Sequence, residues 1–158
     1  MAEITLISAQ TQHLELLNDL MYQLHDEHHQ ACPEHFKTAT EIEQEKSIAR
    51  YLDNPECLVF IAMLDECPAG FITGHFCELV SSVSKPVLMG SIDELYVLPE
   101  YRQQHVATHL FGRLEWTFKQ YAVKQIFVEV WDFNQNAQRF YQDAGFVQHI
   151  HWLRKAVD

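Results

Sequence analysis

The sequence predicts an α/β (α+β) protein with a mixed central β-sheet of about six to seven strands, flanked by about four helices. Two patterns predict it: a hairpin-rich first half, and two strand-helix crossovers in the second half. No internal repeat or Gly/Ser-rich linker divides the 158 residues, and 47% of them are hydrophobic, enough for one packed core. We therefore expect a single domain over residues 1–158.

The first half begins with alternating polar and apolar residues at 3–7, which predict a short edge strand. Leucine and methionine then recur at helical spacing over 14–24, which predicts an amphipathic helix. A second helix is expected to begin at a capping box, with Thr40 as N-cap and Glu43 at N3. It should end near Pro55, because the residue before a proline disfavours helix.

Three strands are expected next, at Cys57–Leu64, 69–79 and 87–98. The first is a continuous apolar run rich in residues that favour strands. A turn at residues 65–68 separates the first two, so they should form a hairpin.

The second half is predicted to contain two helices and two further strands. Apolar residues are spaced by four, four, four and three positions at Val106, Leu110, Leu114, Phe118 and Tyr121. This spacing indicates the buried stripe of a helix. A strand at 124–131 and a short helix over 137–144 follow, with Gly145 placed to end that helix. Residues 146–157 are expected to form a last, bent strand. Helices should therefore cover both faces of the sheet.

The charge and apolar patterns exclude several classes of partner. A net charge of -11 repels phosphate backbones, so we expect no nucleic-acid partner. No apolar run approaches the roughly 18 residues that cross a bilayer, and we expect no membrane partner. The start shows no signal-peptide pattern, so a cytoplasmic protein is expected. The four cysteines form no C-x-x-C pair and are interpreted as free thiols.

The junction at residues 99–110 has the pattern of a strand end, a short turn and a helix start. Free backbone N–H groups at a helix N-terminus attract anions. Arg102 adds a positive charge beside them. The pattern therefore indicates a site for a phosphate-bearing ligand.

Two motifs give this junction a family resemblance. The segment that resembles the fourth strand of the GNAT acetyltransferases is Asp93-Glu94-Leu95-Tyr96-Val97-Leu98-Pro99-Glu100-Tyr101-Arg102. The segment that resembles their pyrophosphate loop, [Q/R]-x-x-G-x-[G/A], is Arg102-Gln103-Gln104-His105-Val106-Ala107. A second motif further on resembles the family's N-x-x-A-x-x-[L/F]-Y-x-x-x-G-F signature. It consists of Asn134-Gln135-Asn136-Ala137-Gln138-Arg139-Phe140-Tyr141 and Gly145-Phe146. The order of the two motifs, with a strand between them, is that of the family. Residues 1–90 match only in the order of elements.

The resemblance implies acetyl-CoA as co-substrate and a set of residues that contact it. These are Leu95, Tyr96, Val97, Arg102, Gln103, Gln104, His105, Val106, Ala107, Thr108, Asn134 and Tyr141. His105 departs from the motif, because the family has a glycine there that allows close backbone approach to the diphosphate. A histidine either crowds that approach or donates an additional hydrogen bond. We expect the loop still to bind.

The catalytic groups follow from what amine acetylation requires. A base must remove the ammonium proton, and Asp93 and Glu94 are both candidates. Strand alternation places them on opposite faces, so only one can act directly; the resemblance favours Glu94. A backbone N–H within residues 95–97 is expected to stabilise the developing oxyanion. The resemblance implies that Tyr141 protonates the leaving thiolate, although its helical spacing also fits a core residue. Asn134 also fits an N-cap.

A histidine patch on the first helix tests the alternative of a metal site. His25, His28 and His29 share one helical face, but the local sequence lacks an H-E-x-x-H motif. We predict no metal and interpret the patch as a solvated helix end or a wall of the acceptor site.

The function predicted from these residues is acetyl-CoA-dependent N-acetylation of a primary amine by direct attack. The acceptor is a small amine, such as a polyamine or an aminoglycoside-like molecule, or a protein amino group. The alternative is a non-catalytic acyl-CoA-binding sensor or assembly module with the same fold. The C-terminal strand is a candidate contact for a homodimer.

Overall fold

The computed structural model of the protein describes residues 3–158. Their contacts group into two units, one ending at Val128 and one covering Glu129–Asp158. A single domain over residues 1–158 stays a prediction. The sheet and four of the α-helices lie in the first unit, and the fifth α-helix lies in the second.

The first unit is built on one mixed sheet of five strands in the order β1-β2-β3-β4-β5. The strands are β1 (Ile4–Ser8), β2 (Cys57–Leu64), β3 (Cys67–Leu79), β4 (Val87–Val97) and β5 (Gln125–Val128). The first three pairings are antiparallel and the β4–β5 pairing is parallel. The β2–β3 hairpin forms as predicted, through left-handed Asp65 and Glu66, with φ of 48° and 68°.

The prediction of six to seven strands is wrong for the described residues. The difference lies at residues 146–157, which contain no strand. Apolar residues recur in this segment, but a strand also needs a neighbouring strand for its backbone hydrogen bonds. Within the described residues, none pairs with them.

Five α-helices are described, one more than predicted: α1 (Leu14–Ala31), α2 (Ala39–Glu45), α3 (Ala49–Leu52), α4 (Val106–Gln120) and α5 (Gln135–Asp143). Short 3-10 turns precede α1 at Thr11–His13 and the α4 loop at Pro99–Tyr101. None of the described helices is long and apolar enough to cross a membrane.

The second predicted helix begins earlier than expected and breaks in two. Thr38, not Thr40, is the N-cap, and its hydroxyl oxygen accepts from the N–H of Glu41 at 3.2 Å. Two overlapping T-x-x-E windows, 38–41 and 40–43, fit the capping pattern equally well, so the pattern alone does not separate them. The chain then extends at Lys46 before α3 begins.

Helices pack against both faces of the sheet, as the sequence predicts. One face carries α1 and a core of buried residues: Leu17, Leu20, Met21, Leu24, Ile48, Val59, Ile61, Phe71 and Tyr96. The other face carries α4, whose buried stripe includes Leu110, Leu114 and Phe118. Tyr121, predicted to lie on that stripe, is 66% exposed.

Gly90 on β4 allows α4 to approach the sheet closely. A Cβ atom at this position would lie 2.5 Å from Cε2 of Phe118, and Phe118 is fully buried. We predict that Gly90→Ala lowers the free energy of unfolding by about 2 kcal/mol, because the added methyl overpacks the core. Urea unfolding measures the change.

The matched control for Gly90→Ala is Gly112→Ala on α4. Nothing lies within 4 Å of a Cβ atom at Gly112. Because alanine favours helix over glycine, this control should raise the free energy of unfolding by up to about 1 kcal/mol. Equal stability of the two variants would contradict the packing described here.

Candidate active site

A β-bulge lies at the centre of the site, on β4. The register pairs Gly74 with Ile92 and Thr73 with Glu94, so Asp93 is an additional residue without a partner on β3. Such a bulge breaks the alternation of side chains between the two faces of a sheet. Bulges are also common beside active sites, where they redirect a side chain.

Asp93 and Glu94 point to the same face of the sheet, and the prediction of opposite faces is wrong. Asp93 contacts the side chain of His75, and Glu94 contacts that of Thr73. Thr73 and His75 are two residues apart on β3 and therefore share a face. The prediction failed because strand alternation holds only where no bulge intervenes.

The carboxylate of Asp93 is held by three side-chain donors. The Tyr51 hydroxyl donates to Oδ2 at 3.0 Å, His75 Nδ1 lies 2.7 Å from Oδ2, and the Ser91 hydroxyl donates to Oδ1 at 2.9 Å. Burial, and then the nearby charges of Glu94 and Asp93, raise the pKa of Tyr51 above its ordinary value. Tyr51 therefore stays protonated and keeps its donor role.

The carboxylate of Glu94 is enclosed and neutralised by Lys46. Its side chain is 3% exposed, and its Oε1 forms an ion pair with the ammonium of Lys46. The Thr73 hydroxyl donates to Oε2, and the N–H of Glu94 donates to the same hydroxyl oxygen at 2.9 Å. The break after α2 brings Lys46 to this position.

After the bulge, one edge of β4 has no strand partner among the described residues. It is the edge that faces away from β3, on the side of β5. The last β4–β5 pair joins Ile92 to Val128, so β5 pairs with no later residue of β4. The Val97 carbonyl accepts from Arg102 Nε at 2.8 Å, so the backbone of Val97 faces away from β3. Leu95, two residues earlier, faces the same way.

Tyr96 does not share this edge. Its ring is 5% exposed and belongs to the core under α1. Of the three predicted contacts on the strand, Leu95 and Val97 thus present backbone groups to the open edge, whereas Tyr96 presents its backbone to β3.

The loop before α4 forms a cradle of backbone N–H groups. In the described part of the chain, none of the N–H groups of residues 103–108 donates to an acceptor. Gln103 and His105 have positive φ, at 63° and 66°. Alternating left-handed residues of this kind turn successive N–H groups into one concave surface that suits a phosphate. The sequence prediction of an anion site at this junction therefore has a geometric basis.

The side chain of Arg102 points towards α1. Its Nη2 lies 2.8 Å and 3.1 Å from the two carboxylate oxygens of Glu27. Its guanidinium also lies over the ring of Tyr96, 5.4 Å from the centroid. Because Glu27 compensates the charge of Arg102, the backbone N–H groups are the main attraction for an anion at this loop.

His105 takes the backbone conformation that a glycine takes at this loop position. We predict that His105→Gly raises the free energy of unfolding by about 1 kcal/mol, because glycine carries no Cβ penalty at a φ of 66°. Acetyl-CoA affinity should change by less than about threefold, since the loop backbone stays the same. Isothermal titration measures the affinity. A gain above about tenfold would mean that the imidazole obstructs the diphosphate.

The second unit contains α5, whose N-cap is Asn134 and which includes Tyr141. Asn134 is the N-cap, and its side-chain oxygen accepts from the N–H of Ala137 at 3.1 Å. The predicted end of the helix at Gly145 is confirmed, with a φ of 101° and the N–H of Phe146 donating to the Tyr141 carbonyl at 2.9 Å.

Tyr141 is buried, and its ring meets that of Phe146 with centroids 5.3 Å apart. Burial raises the pKa of Tyr141 above its ordinary value. The hydroxyl therefore stays protonated at neutral pH, which is the state that a proton donor needs.

The histidine patch on α1 is partly buried, so this helix end is less solvated than predicted, and its role as a wall of the acceptor site stays a prediction. Burial, followed by the nearby charges of Lys46 and His28, lowers the pKa of His25 to about 4. Nδ1 of His29 lies 2.9 Å from the Phe36 carbonyl. Among the described residues, no group of three or more His, Cys, Asp or Glu side chains is placed to hold a metal.

Sequence reasoning missed the side chains that surround the two carboxylates. These are Lys46, Tyr51, Thr73, His75 and Ser91. The polar residues Thr73 and His75 inside an apolar strand were the available signal. Their meaning depends on the β3–β4 register, which spans some twenty residues of sequence and cannot be read from local pattern.

The sequence matches the model of the acetyltransferase (GNAT) family over residues 21–146. A comparison with curated proteins gave no significant match. Among solved structures, an acetyltransferase from Vibrio fischeri is 55% identical, with 80% of this chain and 96% of that chain covered and a TM-score of 0.67.

Two more distant structures show the same fold. The Bacillus halodurans protein BH1408 is 17% identical, with 97% of this chain and 99% of that chain covered and a TM-score of 0.84. The aminoglycoside N-acetyltransferase AAC(6')-Iy, in complex with a CoA bisubstrate analog, is 20% identical, with 98% of this chain and 99% of that chain covered and a TM-score of 0.69.

The family model covers most of the chain, including both predicted motifs, and the Vibrio fischeri relative covers four fifths of it. The predictions of family and enzyme class are confirmed: the chain belongs to the GNAT acetyltransferase family.

Proposed function

We propose that this protein transfers the acetyl group of acetyl-CoA to a primary amine by direct attack. The observation that carries the proposal is the continuity of β4 with the loop before α4. One edge of the strand presents open backbone groups at Leu95 and Val97, and the loop that follows presents the N–H groups of residues 103–108. A thioester beside the strand and a diphosphate at the loop are the two parts of acetyl-CoA that need such partners.

The donor half of the reaction follows from this arrangement. The N–H groups of 103–108 bind the diphosphate, with Val106, Ala107 and Thr108 supplying the N-terminus of α4. The N–H of Leu95 or Val97 stabilises the oxyanion that forms on the thioester carbonyl. CoA was present in a structure of AAC(6')-Iy, whose chain is 19% identical to this one, and that complex supports CoA as the ligand here.

The acceptor in this proposal is a cationic amine. The chain has a net charge of -11, which attracts cations over the whole molecule. Glu27 and Glu94 are each paired with a cation, Arg102 and Lys46, so the attraction comes from the net charge and not from these two carboxylates. A small amine of the polyamine or aminoglycoside-like class, or a protein amino group, fits this chemistry.

Tyr141 is the proposed acid for the leaving thiolate. Its resemblance to the family's tyrosine and its protonated state at neutral pH support the role. Asn134 is proposed to contact the pantetheine arm in addition to capping α5.

The test is thiol release from acetyl-CoA with a panel of amines: polyamines, aminoglycosides, and peptides with a free amino group. We expect release that depends on one class of amine. Tight CoA binding without release for any amine would instead favour the non-catalytic acyl-CoA-binding module.

A further inference from the structure

Neither of the two carboxylates predicted as candidates for the base, Asp93 and Glu94, is free to take a proton from the acceptor. Glu94 is 3% exposed and its charge is matched by Lys46. Asp93 is 18% exposed, and Tyr51, His75 and Ser91 occupy its lone pairs. Both carboxylates are therefore already engaged by side chains of the site.

His75 has the opposite properties. Its side chain is 37% exposed, and its Nδ1 lies 2.7 Å from Oδ2 of Asp93. Because the carboxylate can only accept, Nδ1 carries a hydrogen, and in the neutral imidazole the lone pair is then on Nε2. Nε2 has no hydrogen-bond partner among the described residues. A histidine oriented in this way through Nδ1 is a general base at Nε2.

The position of His75 suits that role. It pairs with Ser91 on β4, the residue two before the bulge, and lies on the face that carries Asp93. Neighbouring strands lie about 4.8 Å apart, so an amine that approaches the bulge on this face comes within reach of Nε2, directly or through one water.

One cleft of the molecule is lined by neighbours of His75 and Asp93. Cys57 is the cross-strand neighbour of His75 on β2. Cys57 and Tyr51 are among the residues that line a cleft of about 380 Å³, and Tyr51 also donates to Asp93. The cleft is therefore lined by two neighbours of the His75–Asp93 pair and not by the pair itself.

We infer that His75 is the general base of the acetyl transfer and that Asp93 is its positioning residue. This inference rests on the proposed function and assigns the proton transfer that it requires.

Nε2 of His75 takes one proton from the acceptor ammonium, and the freed nitrogen lone pair forms a bond to the thioester carbonyl carbon. Collapse of the tetrahedral intermediate breaks the C–S bond. The departing thiolate takes a proton from its acid, Tyr141. The second nitrogen proton leaves as the amide forms and reprotonates that acid, so one proton stays on the amide nitrogen. The imidazolium of His75 then returns its proton to water.

The experiment compares His75→Asn with wild type, using the amine that gives the fastest thiol release. Asparagine keeps a donor near the position of Nδ1 but has no basic nitrogen. We expect kcat to fall about 100-fold, with the Kd for CoA unchanged. His151→Gln, an exposed histidine substitution in the C-terminal segment, is the control and should retain wild-type kcat. In His75→Ala, added imidazole should restore part of the lost rate.

Asp93→Asn tests the positioning role by a signal that structural damage would not produce. The amide can donate to Nδ1, which moves the hydrogen of His75 to Nε2 and removes the lone pair. We expect the ¹⁵N resonances of His75 to report this change of tautomer, together with a loss of kcat.

Three results would overturn the inference. One is a His75→Asn kcat within about threefold of wild type. Another is a larger loss for Glu94→Gln than for His75→Asn, which would make Glu94 the base. The third is no thiol release by the wild type with any amine, and only this result would also overturn the proposed function.

Discussion

Thr108→Asp is expected to weaken CoA binding about 100-fold while leaving the protein at least as stable. Thr108 is the exposed third residue of α4, within the cradle of N–H groups. A carboxylate there lies within about 5 Å of a bound diphosphate, where one pair of like charges costs about 3 kcal/mol at an effective dielectric constant of about 20. The same carboxylate stabilises the helix N-terminus in the free protein.

Thr108→Asn is the matched control, since asparagine has the shape of aspartate without its charge. Its Kd for CoA should stay within about threefold of wild type. Isothermal titration gives the affinities and thermal unfolding gives the stability. If the aspartate variant bound CoA as tightly as the asparagine variant, the diphosphate would not lie at this loop.

Lys46→Met is expected to lower the free energy of unfolding by about 3 kcal/mol. Glu94 is 3% exposed and its ion-pair partner is Lys46, so methionine leaves a buried charge without compensation. The Thr73 hydroxyl still donates to Glu94 but carries no charge. Urea unfolding measures the loss.

The double variant Lys46→Met/Glu94→Gln separates the charge from the packing. Removing both charges should recover most of the lost stability, because replacing both partners of a buried pair costs far less than breaking it. A loss below about 1 kcal/mol for Lys46→Met alone would mean that Glu94 does not depend on this cation.

The sequence was most informative where structure is set by local chemistry. The end of α5 at Gly145, the N-cap at Asn134 and the loop between β4 and α4 were all predicted within short windows. Each depends on a residue type whose preference acts over a few positions, such as glycine at a left-handed φ.

The predictions that failed concern features that depend on residues far apart in the sequence. The bulge at Asp93 arises from the β3–β4 register, which a strand pattern cannot specify by itself. The break at Lys46 places its ammonium on Glu94, 48 positions along the chain. The role of His75 becomes visible only when β3 lies beside β4. For this reason the sequence predicted an anion-binding loop before α4 but not the proposed base.

Direct detection of the acetylated acceptor tests the central claim most closely. The protein is incubated with acetyl-CoA and each amine, and mass spectrometry of the amine is compared with the thiol released. The proposed function predicts one acetyl group on the amine for each thiol, with both signals lost together in Thr108→Asp. Thiol release without acetylated amine, or CoA binding without either signal, would contradict it.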